Sequence, residues 1–331
     1  MRVLACPDKF RGTASATDVA AAVAAAASAQ GWHCVVQPMA DGGEGTLEAF
    51  GGANRTTAVT GPDRSVVQAE WRLDAELAVI ETARASGLSL VGGPEFNDAV
   101  QATTAGTGEL ISTAASCGAR KIIVGLGGSA TTDGGLGALE AMAPLARYRG
   151  VDIEVAADVR TKFCDAAAVF GPQKGASEAE VALLAGRLVR LAQVYRSEHG
   201  VDVTDVPRSG AAGGLGGGLL AVGAELCDGF ELVADSVGLY ERMENVDLVV
   251  TGEGRLDATS FDGKVVGGVA ELARHADVPV LAIVGQATAD VADTIPTVDL
   301  TATYGEERAL KDTLGCVETA AREWLSASPW R

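Results

Sequence analysis

The 331-residue chain contains no apolar run near the roughly 20 residues that a membrane-spanning helix needs, so a helical membrane protein is excluded. No C-x-x-C pair occurs, and none of the six cysteines (Cys6, Cys34, Cys117, Cys164, Cys227, Cys316) stands near a histidine at metal-ligand spacing. Scattered cysteines in a chain of this length read as reduced thiols of a cytoplasmic protein. Val3-Leu4-Ala5-Cys6 matches the end of a lipoprotein signal, but too few residues precede it for an apolar region, and the match reads as accidental. Basic residues are scarce: 26 Lys and Arg face 44 Asp and Glu, for a net charge of −18. With no basic cluster, nucleic acid is not an expected partner. An anionic ligand must instead be captured by local cations against the field of the whole chain. Only three histidines occur, His33, His199 and His275, and they form no motif. The phosphate loop G-x-x-x-x-G-K-[ST] and the protein-kinase H-R-D and D-F-G motifs are all absent.

What the chain does have is glycine, 42 residues of it, gathered into loops behind apolar segments. Val35–Ala40 runs into Asp41-Gly42-Gly43-Glu44-Gly45-Thr46. Ile122-Ile123-Val124 runs into Gly125-Leu126-Gly127-Gly128-Ser129-Ala130-Thr131-Thr132-Asp133-Gly134-Gly135, and Leu248-Val249-Val250 into Thr251-Gly252-Glu253-Gly254-Arg255-Leu256-Asp257. Loops at the carboxyl ends of strands are the ligand sites of α/β proteins. Glycine lets the backbone approach a ligand and aim N–H groups at it, while hydroxyls add donors and carboxylates hold a metal or take a proton.

A β-α-β texture at both ends predicts one Rossmann- or flavodoxin-like parallel α/β domain from residues 1–55 and 241–331. An inserted mixed α/β domain is predicted over 56–240. Within the first, Ser15 caps a helix running to Gln30. Within the second, Thr56–Thr60, Val66–Leu73 and Leu77–Glu81 read as antiparallel strands, Lys121–Gly125 and Val151–Ala157 as further strands, and Gly137–Tyr148 and Glu178–His199 as helices. After these come a helix over Val265–His275, an edge strand over Pro296–Thr301 and a closing helix over Leu310–Leu325.

Bland readings stand beside the chemical ones. Any tight strand-to-helix turn favours glycine, and acids at a helix start are stabilised by its dipole. A turn alone does not need the hydroxyls of Ser129, Thr131 and Thr132 beside Asp133. Pro7-Asp8-Lys9-Phe10-Arg11-Gly12 follows the first strand directly, and its cations suit a carboxylate or phosphate, the arginine in bidentate fashion. Lys174, in Phe170-Gly171-Pro172-Gln173-Lys174-Gly175, would meet a phosphate only if its loop faces the ligand; Asp262-Gly263-Lys264 is a similar case.

Taken together and in order, the Pro7–Gly12, Met39–Thr46, Thr104–Leu110, Gly125–Gly135, Val169–Gly175, Gly213–Gly216 and Thr251–Asp257 stretches resemble the signatures of the type I glycerate kinases. The resemblance covers nearly the whole chain. It implies ATP- and Mg²⁺-dependent phosphorylation of D-glycerate in a cleft between two α/β domains. On that reading Gly127, Gly128, Ser129 and Thr131 line the triphosphate and Lys264 meets phosphate charge. Asp133 is the first choice for Mg²⁺, with Asp257 beside it. Asp158 accepts the hydroxyl proton, with Asp41 second and Lys9 a further catalytic residue. Asp8, Lys9, Arg11, Glu44 and Arg255 form the acid site. Two departures stand out: a segment of several tens of residues is missing before Val151, and Arg160-Thr161-Lys162-Phe163-Cys164 replaces an Asn-Pro turn after Asp158. Arg160 and Lys162 are thereby expected to place two cations beside the acceptor. A paralogue acting on another small hydroxy acid, or a non-catalytic nucleotide- or acid-binding module, are the competing readings. A NAD-dependent dehydrogenase comes third, since G-x-G-x-x-A finds its ribose-binding acid only loosely at Glu140 or Asp152. The number of subunits is left open.

Overall fold

A computed structural model describes residues 1–291 and 294–327 of the chain. The N-terminal stretch carries β1 (Arg2–Ala5) and β2 (His33–Val36). The middle carries β3 (Arg55–Thr60), β4 (Val66–Asp74), β5 (Leu77–Glu81), β6 (Lys121–Gly125), β7 (Asp152–Ala157) and β8 (Glu225–Asp228). The C-terminal stretch carries β9 (Leu248–Thr251), β10 (Arg255–Leu256), β11 (Val280–Val284), β12 (Gln286–Ala287) and β13 (Thr297–Asp299). The chain divides into two units, one of Met1–Asp41 with Phe230–Arg331, the other of Gly42–Gly229.

The first unit is built on a parallel sheet in the order β13-β11-β9-β1-β2, so both chain ends supply its strands. Its central strand reads Leu-Val-Val-Thr and is buried throughout, as a parallel strand covered on both faces must be. Val3, Ala5, Val250 and Ile283 pack with Val19 and Val23 of the helix Ala16–Ala29 and with Val317 and Leu325 of the helix Thr313–Ala327. Each of these valine, leucine and isoleucine side chains contributes about 1.5–3 kcal/mol by leaving water. The helix Ala16–Ala29 starts where Ser15 accepts from the Asp18 amide, as its sequence predicts. The expected edge strand is present as β13. The expected closing helix is two, Glu306–Lys311 and Thr313–Ala327, divided at Asp312.

The second unit holds a mixed sheet in the order β3-β4-β5-β6-β7-β8. β3, β4 and β5 pair antiparallel, and β5 through β8 pair parallel. The helix Glu178–His199 has both halves of a capping box, Ser177 and Glu180 bonding reciprocally, and ends at Gly200. The expected helix Gly137–Tyr148 is shorter than its pattern suggests. It spans Leu136–Met142, because Ala143 precedes Pro144 and is held extended, and a short 3₁₀ turn over Leu145–Tyr148 follows. Among the described residues no helix is long and apolar enough to cross a membrane.

Candidate functional site

In the first unit, β1 and β9 are neighbours, so the loops leaving their carboxyl ends lie side by side. The Asp8 amide donates to the Gly252 carbonyl at 2.8 Å, and the Thr251 hydroxyl to the Cys6 carbonyl at 3.0 Å. These bonds fix Asp8-Lys9-Phe10-Arg11 against Glu253-Gly254-Arg255. Asp41, following β2, adds its charge to the same place. A cavity of about 460 Å³ opens there, lined by Asp8, Lys9, Arg11, Asp41, Glu253 and Lys264, with Arg255 and Asp257 at its wall.

Burial dominates the chemistry of this pocket. It pushes the Asp8 carboxyl up to about 6, against the pull of Lys9 and with help from the Asp41 charge. Asp8 accepts from its neighbour's amide at 2.7 Å and from the Lys9 ammonium at 3.4 Å. Burial works against the Lys9 charge too, but Asp8 and Asp41 outweigh it and hold the ammonium above its ordinary value. Glu253 is pushed up to about 7, again chiefly by burial, and its buried Oε1 has no hydrogen-bond partner among the described residues. Asp257 caps the turn Ala258–Phe261, accepting from the Thr259 amide at 2.9 Å and hydroxyl at 2.6 Å, and those bonds hold its carboxyl below the usual range. Lys264 donates to the Thr259 hydroxyl at 2.9 Å. Within its own unit Lys264 thus stands among the acid-site candidates.

In the second unit, β5, β6 and β7 run parallel and bring Glu81, the Gly125–Gly135 loop and Asp158 to one sheet end. Glu81, 2% exposed, accepts from the Gly45 and Leu47 amides at 2.9 Å each, and so holds the start of the helix Thr46–Ala49. Burial raises its carboxyl, and the Leu47 N–H moderates the rise. Arg84 joins Glu81 to Glu48 and Glu70 by ion pairs of 3.0–3.3 Å. The two glycine loops then touch. Gly128 has φ +62°, and a Cβ there would stand 2.3 Å from Glu44 Oε1; one on Gly127 would stand 2.8 Å from the Gly43 Cα. Glu44 therefore lies against Gly128.

Asp133 turns inward. Its Oδ2 accepts from the Thr104 amide (2.9 Å), the Thr104 hydroxyl (2.8 Å) and the Gly137 amide (3.2 Å), and its Oδ1 from the Gly135 amide (3.0 Å). The Gly134 amide donates to the Gly213 carbonyl at 3.0 Å, and Gly213, at φ +68°, could carry no side chain, for a Cβ would sit 2.0 Å from the Thr131 carbonyl oxygen. Ser129, Thr131 and Thr132 are buried, and the Thr131 and Thr132 hydroxyls have no partner among the described residues. Among the described residues no group of three or more His, Cys, Asp and Glu is arranged to hold a metal ion.

Three contributors stand outside the residues assigned from the sequence, although Lys174 is weighed there. Lys174 is 3% exposed and donates to Ser129 Oγ at 2.9 Å and the Thr131 carbonyl at 2.6 Å; burial lowers it to about 7. Arg208 donates to the Ala157 carbonyl at 3.1 Å and to Asp228 at 2.5 Å, bracing the strand end from which Asp158 follows. Glu81 is the third. Only Lys174 carried a signal, its place between two glycines before a capped helix. Lys162, expected as a cation beside the acceptor, is exposed and paired with Asp205 at 2.8 Å, and Arg160 is exposed as well.

The arrangement is that of an α/β protein with ligand loops at the carboxyl ends of parallel strands in each of its units. Comparison with known proteins gives the family. The profile of the Glycerate kinase family matches residues 3–145 and 143–327, two stretches that meet at the turn around Pro144. Glycerate 2-kinase of Escherichia coli (strain K12) is 41% identical over 336 residues, covering 88% of this chain and 87% of that one. A glycerate kinase of Haemophilus influenzae is 38% identical over 325 residues, covering 86% of each. A crystal structure of a candidate glycerate kinase 2 from Salmonella typhimurium LT2 superposes with a TM-score of 0.85 at 36% identity, covering 98% of this chain and 97% of that one. The chain belongs to the glycerate kinase family, and is an enzyme of the kinase class that uses ATP.

Proposed function

We propose that the chain transfers the γ-phosphate of ATP to the 2-hydroxyl of D-glycerate, giving 2-phosphoglycerate. The observation that carries this reading is the pocket of the first unit. There Lys9, Arg11, Arg255 and Lys264 stand among carboxyls, of which Asp8 and Glu253 are held near neutrality. A small hydroxy acid needs such cations for its carboxylate, and carboxyls that ionise this reluctantly leave more of the cations' positive charge unneutralised. The names of the relatives support the particular acid.

Phosphoryl transfer asks the protein mainly for alignment and charge neutralisation. In this reading Lys9, Arg11 and Arg255 bind the substrate carboxylate, and Asp8 fixes Lys9. Gly127 and Gly128 offer backbone N–H groups, and the unpartnered Thr131 and Thr132 hydroxyls leave polar capacity that suits phosphate oxygens. Asp133 serves this loop as a brace rather than a metal, because both its oxygens already accept from backbone or hydroxyl donors. Asp257 keeps one oxygen outside its turn and is the expected carboxylate that suits Mg²⁺. When bound, Mg²⁺ supplies charge neutralisation on the transferred group. Asp158 and Asp41 are the two residues assigned to receive the hydroxyl proton, and loss of the true base lowers kcat by about 10²–10⁴ while KM for ATP holds.

The test is a coupled assay with ATP, Mg²⁺ and a panel of small hydroxy acids, with the product identified by phosphorus NMR. D-glycerate should lead, with the phosphate on the 2-position and no turnover in EDTA. A different leading acid would overturn the substrate, and ATP binding without transfer to any acid would overturn the activity.

A further inference from the structure

Lysine is rarely buried without a carboxylate in contact, because removing its charge from water is costly. Lys174 is such a lysine. Its ammonium makes no ion pair within 4 Å among the described residues, and it lies behind the glycine loop, bonded to Ser129 Oγ and the Thr131 carbonyl. The surroundings are built to keep it there. The Asn97 amide donates to the Ala130 carbonyl at 2.9 Å and to the Lys174 carbonyl at 2.8 Å, tying the lysine's backbone to the loop it supports. The Phe170 ring lies 5.9 Å from the ammonium. Of the groups facing it, the stretch before Leu136–Met142 brings Asp133, whose charge favours the ammonium; Ser129, Thr131, Asn97 and Phe170 bring no charge.

We infer that Lys174 is the positioning residue of the nucleotide phosphates: from behind the loop it holds Ser129 and Thr131 in place and supplies a positive charge that an anion on the loop's outer side requires. This rests on the ATP-dependent reading above. The geometry has a physical consequence. Two of the three ammonium donors are fixed on the loop, and a neutral amine keeps two, so what depends on one proton is the loop's charge. Burial makes that proton easy to lose in the free protein, where the group titrates at about 7. An anion bound on the loop favours the charged form, so nucleotide binding draws a proton onto Lys174. Above that value the unaltered chain should bind ATP more weakly as pH rises, by up to about tenfold per pH unit.

The experiment is a titration with ATP at pH 6.5, 7.5 and 8.5, with steady-state kinetics beside it, for the unaltered chain, Lys174→Met and Lys174→Arg. Lys174→Met should weaken ATP binding by about tenfold or more at pH 6.5, the worth of one charged contact, and lose the pH dependence, while KM for D-glycerate moves less than twofold. Lys174→Arg should bind ATP without the pH-dependent weakening; it carries the test if the methionine variant does not fold. ATP binding by Lys174→Met within twofold of the unaltered chain, or a pH dependence in Lys174→Arg like that of the unaltered chain, would overturn the inference alone. Failure of the unaltered chain to bind ATP would overturn the functional reading first, and this inference with it.

Discussion

Asp133→Asn separates a carboxylate that braces a loop from one that binds a metal. The native side chain accepts four hydrogen bonds, three on Oδ2 and one on Oδ1. An asparagine can keep its oxygen on the crowded side, towards Thr104 and Gly137. Its NH₂ then faces the Gly135 N–H, donor against donor, across a contact that was 3.0 Å. One charged hydrogen bond is lost, worth about 1.5–3 kcal/mol, and the three that remain weaken with the loss of charge. The expected cost is about 2–4 kcal/mol in all. At about 2–4 °C per kcal/mol for a unit of this size, the melting temperature should fall by roughly 5–15 °C. Thermal unfolding followed by circular dichroism reads the stability, and kcat measured well below the new Tm reads the chemistry. If the variant melts within a degree or two of the unaltered chain yet loses turnover, the bracing argument fails and a metal role for Asp133 returns.

Two further outcomes follow from the acid pocket. Asp8 ionises at about 6 in the fold and at 3.8 ordinarily, so its ionisation costs the fold stability as pH rises from about 4 through 6. Asp8→Asn escapes that cost. It should melt no lower than the unaltered chain at pH 8, with the difference closing towards pH 4, while KM for the acid rises; a clearly lower Tm at pH 8 would show that the Lys9 pair outweighs burial. Lys9→Ala and Arg11→Ala should each raise KM for the acid by more than KM for ATP, by about ten- to a hundredfold for one charged hydrogen bond; equal effects on both substrates would place these cations elsewhere.

Much of the fold is legible in the sequence. The helices Glu178–His199 and Val265–His275 have the bounds their sequences predict; in the first, cap, periodicity and stop agree, and in the second an apolar face carries the signal without a side-chain cap. The strand Glu225–Asp228 left no trace, since four residues with two acids show neither alternation nor an apolar run. Helical periodicity carried the expected Gly137–Tyr148 helix past Pro144, where the backbone cannot follow. At the site, strand-end position picks out the loops. Glycine content predicts that backbone closes on a ligand at Gly127 and Gly128; the structure shows Gly127 close to the Gly43 backbone and Gly128 close to the Glu44 side chain, a packing the sequence does not announce. The inward turn of Asp133 and the burial of Lys174 were hidden. Both depend on partners distant in sequence, Thr104 for one and Ser129 with Thr131 for the other, and a lone charge in a glycine-rich turn looks the same whether it faces solvent or core.

The parallel sheet of the first unit joins Val3 to Leu248 and Ala5 to Val250. A ribosome therefore releases the opening strand long before its partner exists. β1 and β2 can pair with each other, but the other edge of β1 stays open while all of Gly42–Gly229 is synthesised. During that interval the enclosed unit has every strand of its own sheet and can mature ahead of the one that surrounds it. The last step of biogenesis is then a long-range closure with a high entropic cost, slow relative to local helix formation. A nascent chain arrested before Leu248 would carry an exposed apolar strand edge, which makes it the form most in need of a chaperone.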